Sequence, residues 1–441
     1  MTDLHEPSVA NDVVDELRSW LSDNWDADLT VAQWWEMLGV AGWSAPTLPT
    51  HAFGRGVARA VAVQISQEIA AFGAMGAPEG LGLMLAAPTI AEHGTDEQIA
   101  TFVRDIVTGQ KAWCQLFSEP GAGSDLAGLS TRAEQDGDEW IVNGQKVWTS
   151  GGHVADMGML LARTNPDAPK HQGISYFGID MHQPGVEVRP LKELTGQAIF
   201  NEVFLTDARV ATASLIGGRN NGWAVANTTL GHERASLGSG GTTRGGSAVP
   251  GTIGGNLSRR AGDFAPTPAA STKGSGRSSG SRGGAMYDVI VGIAKGNGKN
   301  QDALVRQELV RLYSLSEIGR VSAERVKAAR AAGTDIAGMA NIAKLSMSMI
   351  VRLTRDLGLR VVGNQGMLHG YDQAEREVVA SATGNPFLNA VTNTALYAQA
   401  PPIYGGTDQI QRNIIGERVL GLPKEPGNER DTPFSQLPKN A

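Results

Sequence analysis

The sequence predicts a mainly α-helical protein with one central β-domain. Apolar residues recur at helical spacing on both sides of a middle stretch of short β-rich runs separated by turn residues. The chain has 441 residues, enough for roughly two to four domains. We divide it into an N-terminal helical domain (1–112), a β-domain (113–225), a C-terminal helical bundle (226–424) and a tail (425–441).

Composition excludes several classes of protein. The chain has 38 Lys and Arg against 45 Asp and Glu, and a net charge of -7 argues against a nucleic-acid partner. The single cysteine, Cys114, excludes an intrachain disulfide and fits a reducing compartment. No run approaches the ~20 apolar residues of a membrane span, and the acid-rich first thirty residues resemble no targeting peptide. We therefore expect a cytoplasmic enzyme without a membrane span, and we predict no metal site.

Helices fill the first domain, because apolar residues keep helical spacing from Asn11 to Gly109. Thr95 and Gln98 form a capping-box pattern, and Gly109 stands where a helix would end. In the β-domain, Asn143-Gly144 lies inside 140–148 and predicts a hairpin of two strands. Further strands are expected at 157–163, 174–181, 186–191 and 199–205, and together they predict a compact barrel or small sandwich.

Helical periodicity returns after Gly222 and predicts a bundle of long antiparallel helices. The longest, 302–332, would end at Gly333 and exceed about 40 Å in length. The other expected helices cover 339–361, 387–400 and 408–420.

One glycine-rich stretch, 238–284, interrupts this bundle. It holds 14 of the 56 glycines together with 8 serines and six Lys or Arg, and it has little to bury. We interpret it as an irregular, mobile loop, because such a composition does not repay the entropy lost on ordering. Its basic residues leave open a contact with a phosphate-bearing ligand.

Three separated stretches carry the chemistry. The stretch 115–125 reads Gln-Leu-Phe-Ser-Glu-Pro-Gly-Ala-Gly-Ser-Asp, and its glycines let backbone amides approach an anionic or planar group. Alone, it is equally compatible with a tight turn beside a structural tryptophan. It is followed by Lys146–Gly151 and, more than 250 residues later, by Tyr404–Arg412, which begins Tyr-Gly-Gly-Thr-Asp-Gln-Ile.

These motifs, in this order, resemble the acyl-CoA dehydrogenase family over nearly the whole chain. The resemblance implies an N-terminal helical domain, a middle β-barrel or sandwich and a C-terminal four-helix bundle. It also implies FAD bound between the β-domain and the bundle, and oxidation of an acyl-CoA to its trans-2-enoyl-CoA. The residues implied to bind FAD are Phe117, Ser118, Ser124, Trp148, Ser150, Thr407 and Gln409.

Within that set the resemblance implies distinct roles. The hydroxyl of Ser118 would reach the pyrimidine edge of the flavin, Trp148 would flank the ring system, and Ser150 would bond flavin N5, which takes the β-hydride. A core aromatic at a domain boundary is the alternative for Trp148. The residues implied to contact substrate are Ser124, Arg234, Tyr404 and Gly406.

The reaction needs a carboxylate to remove the α-proton. Most of the family has a glutamate after the motif tyrosine, whereas this chain has Gly405, whose backbone N–H would donate to the thioester oxygen. In the isovaleryl-CoA and long-chain branches the glutamate precedes an arginine on the first bundle helix. Leu230–Arg234 matches that context, so the resemblance makes Glu233 the base, with a surface or interhelical ion pair as the alternative.

Other residues leave choices open. We interpret His232 as structural, and an ion pair is as good an interpretation of Arg412 as a ligand contact. The stretch Arg259–Phe264 lacks the spacing of the family's Arg-x-x-Phe-Gly element, which a neighbouring subunit brings to FAD. This departure makes a heterotetramer as plausible as a homotetramer, and it leaves a non-catalytic partner subunit as the alternative function. An electron-transfer flavoprotein is the implied electron acceptor.

Overall fold

The computed structural model of the protein describes residues 6–237, 248–266, 282–332, 334, 336–424 and 431–438. Helices form the N-terminal part: α1 (Glu6–Asn24), α2 (Val31–Val40), α3 (Arg59–Phe72), α4 (Ala87–His93), α5 (Asp96–Gln98) and α6 (Arg104–Val107). A π-helical turn, Gly82–Ala86, leads into α4, and a second, Ile99–Val103, joins α5 to α6.

Tryptophans organise the core of this N-terminal part. Trp34 and Trp35 are fully buried on α2, and their indole N–H groups donate to the carbonyls of Met75 at 2.7 Å and Gly76 at 2.9 Å. The capping box of Thr95 and Gln98 is confirmed at the start of α5. The indoles of Trp34 and Trp35 thus each have a polar partner, as is usual for a tryptophan buried in a core.

The eight strands form one sheet in the order β6-β7-β3-β2-β4-β5-β8, with β1 parallel to β4. They are β1 (Trp113–Leu116), β2 (Arg132–Asp136), β3 (Glu139–Ser150), β4 (Met157–Arg163), β5 (Ile174–Asp180), β6 (Val186–Pro190), β7 (Phe200–Ala211) and β8 (Leu215–Ile216). Three of the four single strands expected from the sequence are confirmed within one residue, and the fourth, expected to end at 205, continues to Ala211. Cys114 lies buried in β1 as a free thiol.

The predicted hairpin around Asn143-Gly144 is wrong. Both residues lie inside the continuous strand β3, and the turn is instead at Gly137-Asp138, between β2 and β3. Gly144 is needed for a close approach: a Cβ there would lie 2.4 Å from Thr131 Oγ1. A register shift beside Val142 shows that the strand carries a bulge at this point.

The C-terminal helices are α7 (Gly222–Leu237), α8 (Arg282–Gly296), α9 (Ala303–Ala331), α10 (Met339–Val362), α11 (Gln373–Thr383), α12 (Leu388–Tyr397) and α13 (Asp408–Ile414). The long helices α9 and α10 are confirmed, and a π-helical turn, Ile415–Val419, continues α13. The sequence did not predict α8 or α11. The proposed end of α9 at Gly333 lies outside the described residues.

The glycine-rich stretch is largely irregular where the structure describes it, but it is packed against the rest of the chain. Its residues 248–266 pack on the N-terminal helices, with Ala248 and Ala261 buried, whereas 238–247 and 267–281 lie outside the described residues. Backbone bonds hold it: Val31 N donates to Arg259 O at 2.8 Å, and Ala261 N donates to Leu29 O at 2.8 Å. The expectation that this stretch has little to bury is thus wrong for 248–266, where backbone pairing and apolar side chains fix an irregular segment on the core.

The same segment reaches the β-domain. The carboxylate of Asp156 is 1% exposed and accepts hydrogen bonds from the hydroxyl and N–H of Thr252 and, at 2.8 Å, from Ala112 N. Arg260 forms an ion pair with Asp28 at 2.6 Å. Arg259–Phe264, the stretch that departs from the family element, therefore contacts the N-terminal helices of its own chain.

Gly144→Ala is expected to lower the free energy of unfolding by about 1–3 kcal/mol, since the added methyl group overlaps Thr131. Gly292→Ala is the control, because a Cβ on this exposed helical glycine meets nothing within 4 Å and gains about 0.5–1 kcal/mol. Urea denaturation measures both changes. Equal stability of Gly144→Ala and the wild type would contradict the close approach.

Candidate active site

The loop of the first motif is a tight turn that exposes its small residues. Glu119 N donates to Ala122 O at 3.0 Å, and Ala122 N donates back to Glu119 O at 3.1 Å. Beyond this turn Gly123 and Ser124 are exposed, and a Cβ on Gly123 would meet nothing within 4 Å. The backbone here is open to a ligand from outside.

A buried ion pair anchors this loop. Lys146, fully buried on β3, donates to Glu119 Oε1 at 2.8 Å, and Glu119 also accepts from the N–H groups of Ser130 at 2.6 Å and Thr131 at 2.9 Å. Burial raises the pKa of Glu119, but the charge of Lys146 and these hydrogen bonds outweigh it and hold the pKa below its usual value. Burial lowers the pKa of Lys146, and the charge of Glu119 offsets only part of that effect.

The ion pair lies where four of the residues implied to bind the flavin come together, after the end of β1 and towards the end of β3. Lys146 Nζ also donates to Phe117 O at 3.1 Å, and Val147 N donates to Ser118 O at 2.9 Å. Trp148 and Ser150 follow on the same strand. Ser118 is partly exposed, whereas the ring of Phe117 is buried and packs edge-on against Tyr176 at 5.9 Å. Phe117 therefore sits in the core with its side chain turned inward.

Trp148 is held in a strained backbone at the surface. Its φ is +61°, in a region that bulky residues rarely adopt, and its side chain is 61% exposed. A register shift between Lys146 and Thr149 marks a bulge at this point, and the indole packs edge-on against Phe200 at 5.9 Å. The alternative that Trp148 is a core aromatic is thus excluded. A strained, exposed indole is typical of a binding position.

Glu233 lies on α7, which is fixed to the rest of the protein one turn earlier. Thr229 is fully buried and hydrogen bonds to Thr89 of α4 at 3.0 Å. Burial raises the pKa of the Glu233 carboxyl, while a hydrogen bond with the Gln115 side chain and the charge of Arg234 act in the opposite direction. A partly buried carboxyl with a raised pKa has the property that a general base requires.

The C-terminal motif forms a second compact group. Gly405 and Gly406 have φ of +60° and +79°, and Gln411 Nε2 donates to Gly405 O at 2.9 Å. Thr407 caps α13, because its hydroxyl accepts from Ile410 N at 3.2 Å. Two glycines are required where consecutive residues take this left-handed conformation.

Two contacts fix this motif to the bundle. Asp408 is 3% exposed and pairs with Lys344 at 3.3 Å and Arg352 at 2.8 Å. Burial raises the pKa of Asp408, but hydrogen bonds and these cations outweigh it and lower the pKa overall. The hydroxyls of Tyr404 and Tyr397 lie 2.5 Å apart. Asp408 thus holds the start of α13, where Thr407 stands.

The charges of Glu233, Arg234 and Arg418 influence one another. Desolvation lowers the pKa of the Arg234 guanidinium, the charge of Glu233 raises it, and the charge of Arg418 lowers it further. Arg418 lies on the π-helical turn that continues α13, so this turn lies within reach of the charge of Arg234. Gln409 and Arg412 are exposed on α13. Burial lowers the pKa of His232, with the charge of Glu92 acting against it.

Sequence reasoning missed two residues of this site. Gln115 was quoted in the first motif without a role, yet its side chain contacts Glu233. Lys146 lies in the run 140–148 that the sequence predicts as strand, and its neighbours give no local sign that its ammonium is buried against Glu119. In the described part of the chain no group of His, Cys, Asp or Glu could hold a metal ion, and no helix is long and apolar enough to cross a membrane.

Comparison with known proteins decides the family. Models of the acyl-CoA dehydrogenase N-terminal, middle and C-terminal domains match residues 8–110, 114–208 and 291–420. The chain belongs to the acyl-CoA dehydrogenase family. This family consists of flavin-dependent oxidoreductases. Glu233 lies in the stretch between the second and third matched ranges, so its role depends on the local geometry.

Two curated relatives from Mycobacterium tuberculosis are acyl-CoA dehydrogenases by name. FadE34 is 36% identical over 391 residues, which cover 88% of this chain and 46% of the relative. IpdE1 is 32% identical over 430 residues, which cover 93% of this chain and 97% of the relative. The chain thus spans about half the length of FadE34 and nearly all of IpdE1.

Solved acyl-CoA dehydrogenase structures share the fold. The steroid ACAD Tcur3481-Tcur3483 has a TM-score of 0.66 at 23% identity, covering 96% of this chain and all of that one. The ChsE4-ChsE5 complex from Mycobacterium tuberculosis has a TM-score of 0.61 at 24% identity, with the same coverage. The helical-domain, sheet and bundle arrangement expected of the family is therefore confirmed.

Lys146→Met is expected to lower the free energy of unfolding by about 3–5 kcal/mol, because it leaves the Glu119 carboxylate buried without its partner. The double variant Glu119→Gln/Lys146→Met removes both charges and should recover part of that loss. Thermal unfolding measures both.

Arg320→Met, which breaks an exposed ion pair with Glu317, is the control and should change stability by no more than about 1 kcal/mol. A Lys146→Met effect as small as that of the control would show that the buried pair contributes nothing.

Proposed function

We propose that this chain catalyses the FAD-dependent α,β-dehydrogenation of an acyl-CoA thioester, with Glu233 as the base. The observation that carries the proposal is the partly buried Glu233 carboxyl, whose pKa is raised by burial, in a chain that has Gly405 at the usual base position. A carboxylate removed from water is a stronger base than one at the surface, and it is close enough to Gln115 to be oriented.

The residues present fit FAD. The exposed face of Trp148 suits a planar aromatic system, and the described residues give no partner to the buried Asn201 Oδ1 beneath the same strand end. Ser118 and Ser150 would face the flavin, and Ser124 would stand where substrate and cofactor meet. Thr407 and Gln409 would hold the ribityl and diphosphate portion. When bound, FAD supplies the two-electron acceptor for the β-hydride.

The chain's own residues would carry the remaining chemistry. Glu233 would accept the α-proton as the α-C–H bond breaks and the new C=C bond forms. The N–H of Gly405 would donate to the thioester oxygen, where negative charge develops. Arg234, Tyr404 and Gly406 would contact the thioester and CoA portions. The partial burial of Glu233 keeps competing water from its carboxylate.

Glu233→Gln is expected to slow reduction of the bound flavin by an acyl-CoA by about 10²–10⁴-fold, because the amide cannot accept the α-proton. FAD content should stay at the wild-type level, since Gln keeps the shape of the side chain. Stopped-flow absorbance of the flavin measures the rate. Glu92→Gln, an exposed carboxylate on the neighbouring α4, is the matched control and should leave the rate unchanged.

The pH dependence of the rate of flavin reduction tests the same role of Glu233 in a second way. Glu233 must be deprotonated to act, so the rate should fall as the pH drops through its raised pKa, above the ordinary 4.5. If the flavin of Glu233→Gln is reduced at the wild-type rate, and if that rate falls at low pH as in the wild type, another group is the base.

The acyl chain is proposed to be branched, long or bulky. A base on α7 rather than at position 405 changes the shape of the acyl pocket, and the branches of the family with that arrangement accept such chains. A panel of straight-chain, branched and polycyclic acyl-CoA thioesters, assayed with an artificial electron acceptor, ranks them by kcat/KM. An electron-transfer flavoprotein is the proposed acceptor in the cell.

We also propose that the chain works as an oligomer. The long helix α9 exposes large apolar side chains, which a partner would cover: Leu304, Val310, Tyr313, Ile318 and Val321. Heteromeric complexes among the structural neighbours make a two-gene assembly one form of this proposal. The alternative function, a non-catalytic partner subunit, draws support from Gly405 and predicts a colourless protein when the chain is purified alone.

Ile318→Asp is expected to lower the mass of the purified assembly, because it places a charge within this apolar surface. Ile318→Val is the matched control and should keep the wild-type mass. Analytical ultracentrifugation measures both. A wild-type chain that sediments as a monomer, alone and with candidate partner subunits, would contradict the oligomer.

A further inference from the structure

Residues 431–438, here called the C-terminal strap, return from the bundle to the β-domain. They dock on the turn that follows β4, residues 164–173. Phe434 N donates to Ala168 O at 2.9 Å, Ser435 N donates to Pro166 O at 2.8 Å, and Pro433 bridges to Pro169. These are backbone contacts, so they fix the path of the strap whatever its side chains are.

One side chain of the strap covers a buried cation. The ring of Phe434 lies 3.7 Å from the guanidinium of Arg163, which is 3% exposed at the end of β4. Burial lowers the pKa of Arg163 to about 10, with the charges of Glu119 and Asp125 acting against it. A cation–π contact is strongest where the cation is desolvated, as here.

Arg163 links the strap to the loop of the first motif. Its Nη2 donates to Ala127 O at 2.6 Å and to Leu129 O at 3.1 Å, both a few residues after Ser124. Its Nη1 donates to Lys170 O at 2.7 Å. The Arg163 side chain thus clips the far end of the motif loop to the turn on which the strap docks.

The turn makes two further contacts with the site. The ammonium of Lys170 pairs with Asp125 at 3.0 Å, next to Ser124. The ring of His171 packs edge-on against Trp223 at 4.8 Å, on α7, the helix that carries Glu233. Residues 164–173 are therefore a junction between the strap, the loop of Ser124 and the base helix.

We propose that Phe434 is a positioning residue: its aromatic face holds Arg163 over the carbonyls of Ala127 and Leu129 and so fixes the loop that presents Ser124. The inference rests on the proposed function only for its consequence, which is tighter binding of FAD. The order of the loop itself is a property of the chain without cofactor or substrate.

Hydrogen exchange of the protein without FAD tests the positioning directly. Phe434→Ala should speed exchange in peptides covering 121–131 and 164–173, and leave exchange in α9 and α10 at the wild-type rate. Deletion of 431–441 should have the same or a larger effect. Gln436→Ala, an exposed position on the strap, is the matched control and should exchange like the wild type.

Two replacements separate an aromatic contact from a plain apolar cover. Phe434→Tyr keeps the aromatic face and should restore wild-type exchange, whereas Phe434→Leu should behave like Phe434→Ala. Titration of FAD into the protein freed of cofactor should show binding weaker by about three- to tenfold in Phe434→Ala, Phe434→Leu and the truncation.

The outcomes are distinguishable from those of the proposed function. Unchanged exchange in Phe434→Ala and in the truncation would overturn the positioning role, as would full recovery by Phe434→Leu or faster exchange spread over all peptides. A wild-type protein that exchanges as expected but never oxidises an acyl-CoA would overturn the function and leave the positioning role standing.

Discussion

Two opposite charges removed from water hold the loop of the first motif in place. Moving Lys146 and Glu119 into the interior has a large desolvation cost, which is offset only because every polar atom finds a partner. Glu119 accepts from the ammonium and from two backbone N–H groups, and the ammonium also binds Phe117 O. Such a pair contributes more to geometry than to stability. It decides that the turn after β1 lies beside β3.

The strained backbone of Trp148 follows from that arrangement. Lys146 points inward and Thr149 is buried as well, so the bulge between them leaves the intervening residues to absorb the irregularity. Trp148 takes the left-handed conformation and is turned out to solvent beside Phe200. The free energy stored there is supplied by the pairing of β3 with β7 on either side. The exposed indole is thus a consequence of the buried lysine two residues earlier.

Regular periodicity made much of the fold predictable, and long-range contacts account for what was missed. Strand 157–163 and helix α9 were predictable because their apolar residues follow a recognisable pattern over many positions. The turn predicted at Gly144 is wrong because this glycine allows the close approach of Thr131, a contact that the local sequence does not indicate. Backbone hydrogen bonds hold 248–266 on the N-terminal helices, and amino-acid composition does not predict such bonds. Glu233 could be found from its Leu-x-x-Glu-Arg context, whereas Gln115 and Phe434 act through segments that meet only in the folded chain.

The proposed function gives the glycine at position 405 and the glutamate on α7 complementary roles. Gly405 and Gly406 both have positive φ, and a Cβ on Gly406 would lie 2.6 Å from Gln411 Nε2, the group that bonds Gly405 O. The positive φ of both residues favours glycine here, and a turn without side chains leaves its backbone exposed to a ligand. α7 is a regular helix tied to α4 through Thr229, so a carboxylate on it is held by packing rather than by a loop. In the proposed mechanism, base and oxyanion donor would therefore come from separate elements, and the backbone of the left-handed turn would serve the thioester oxygen.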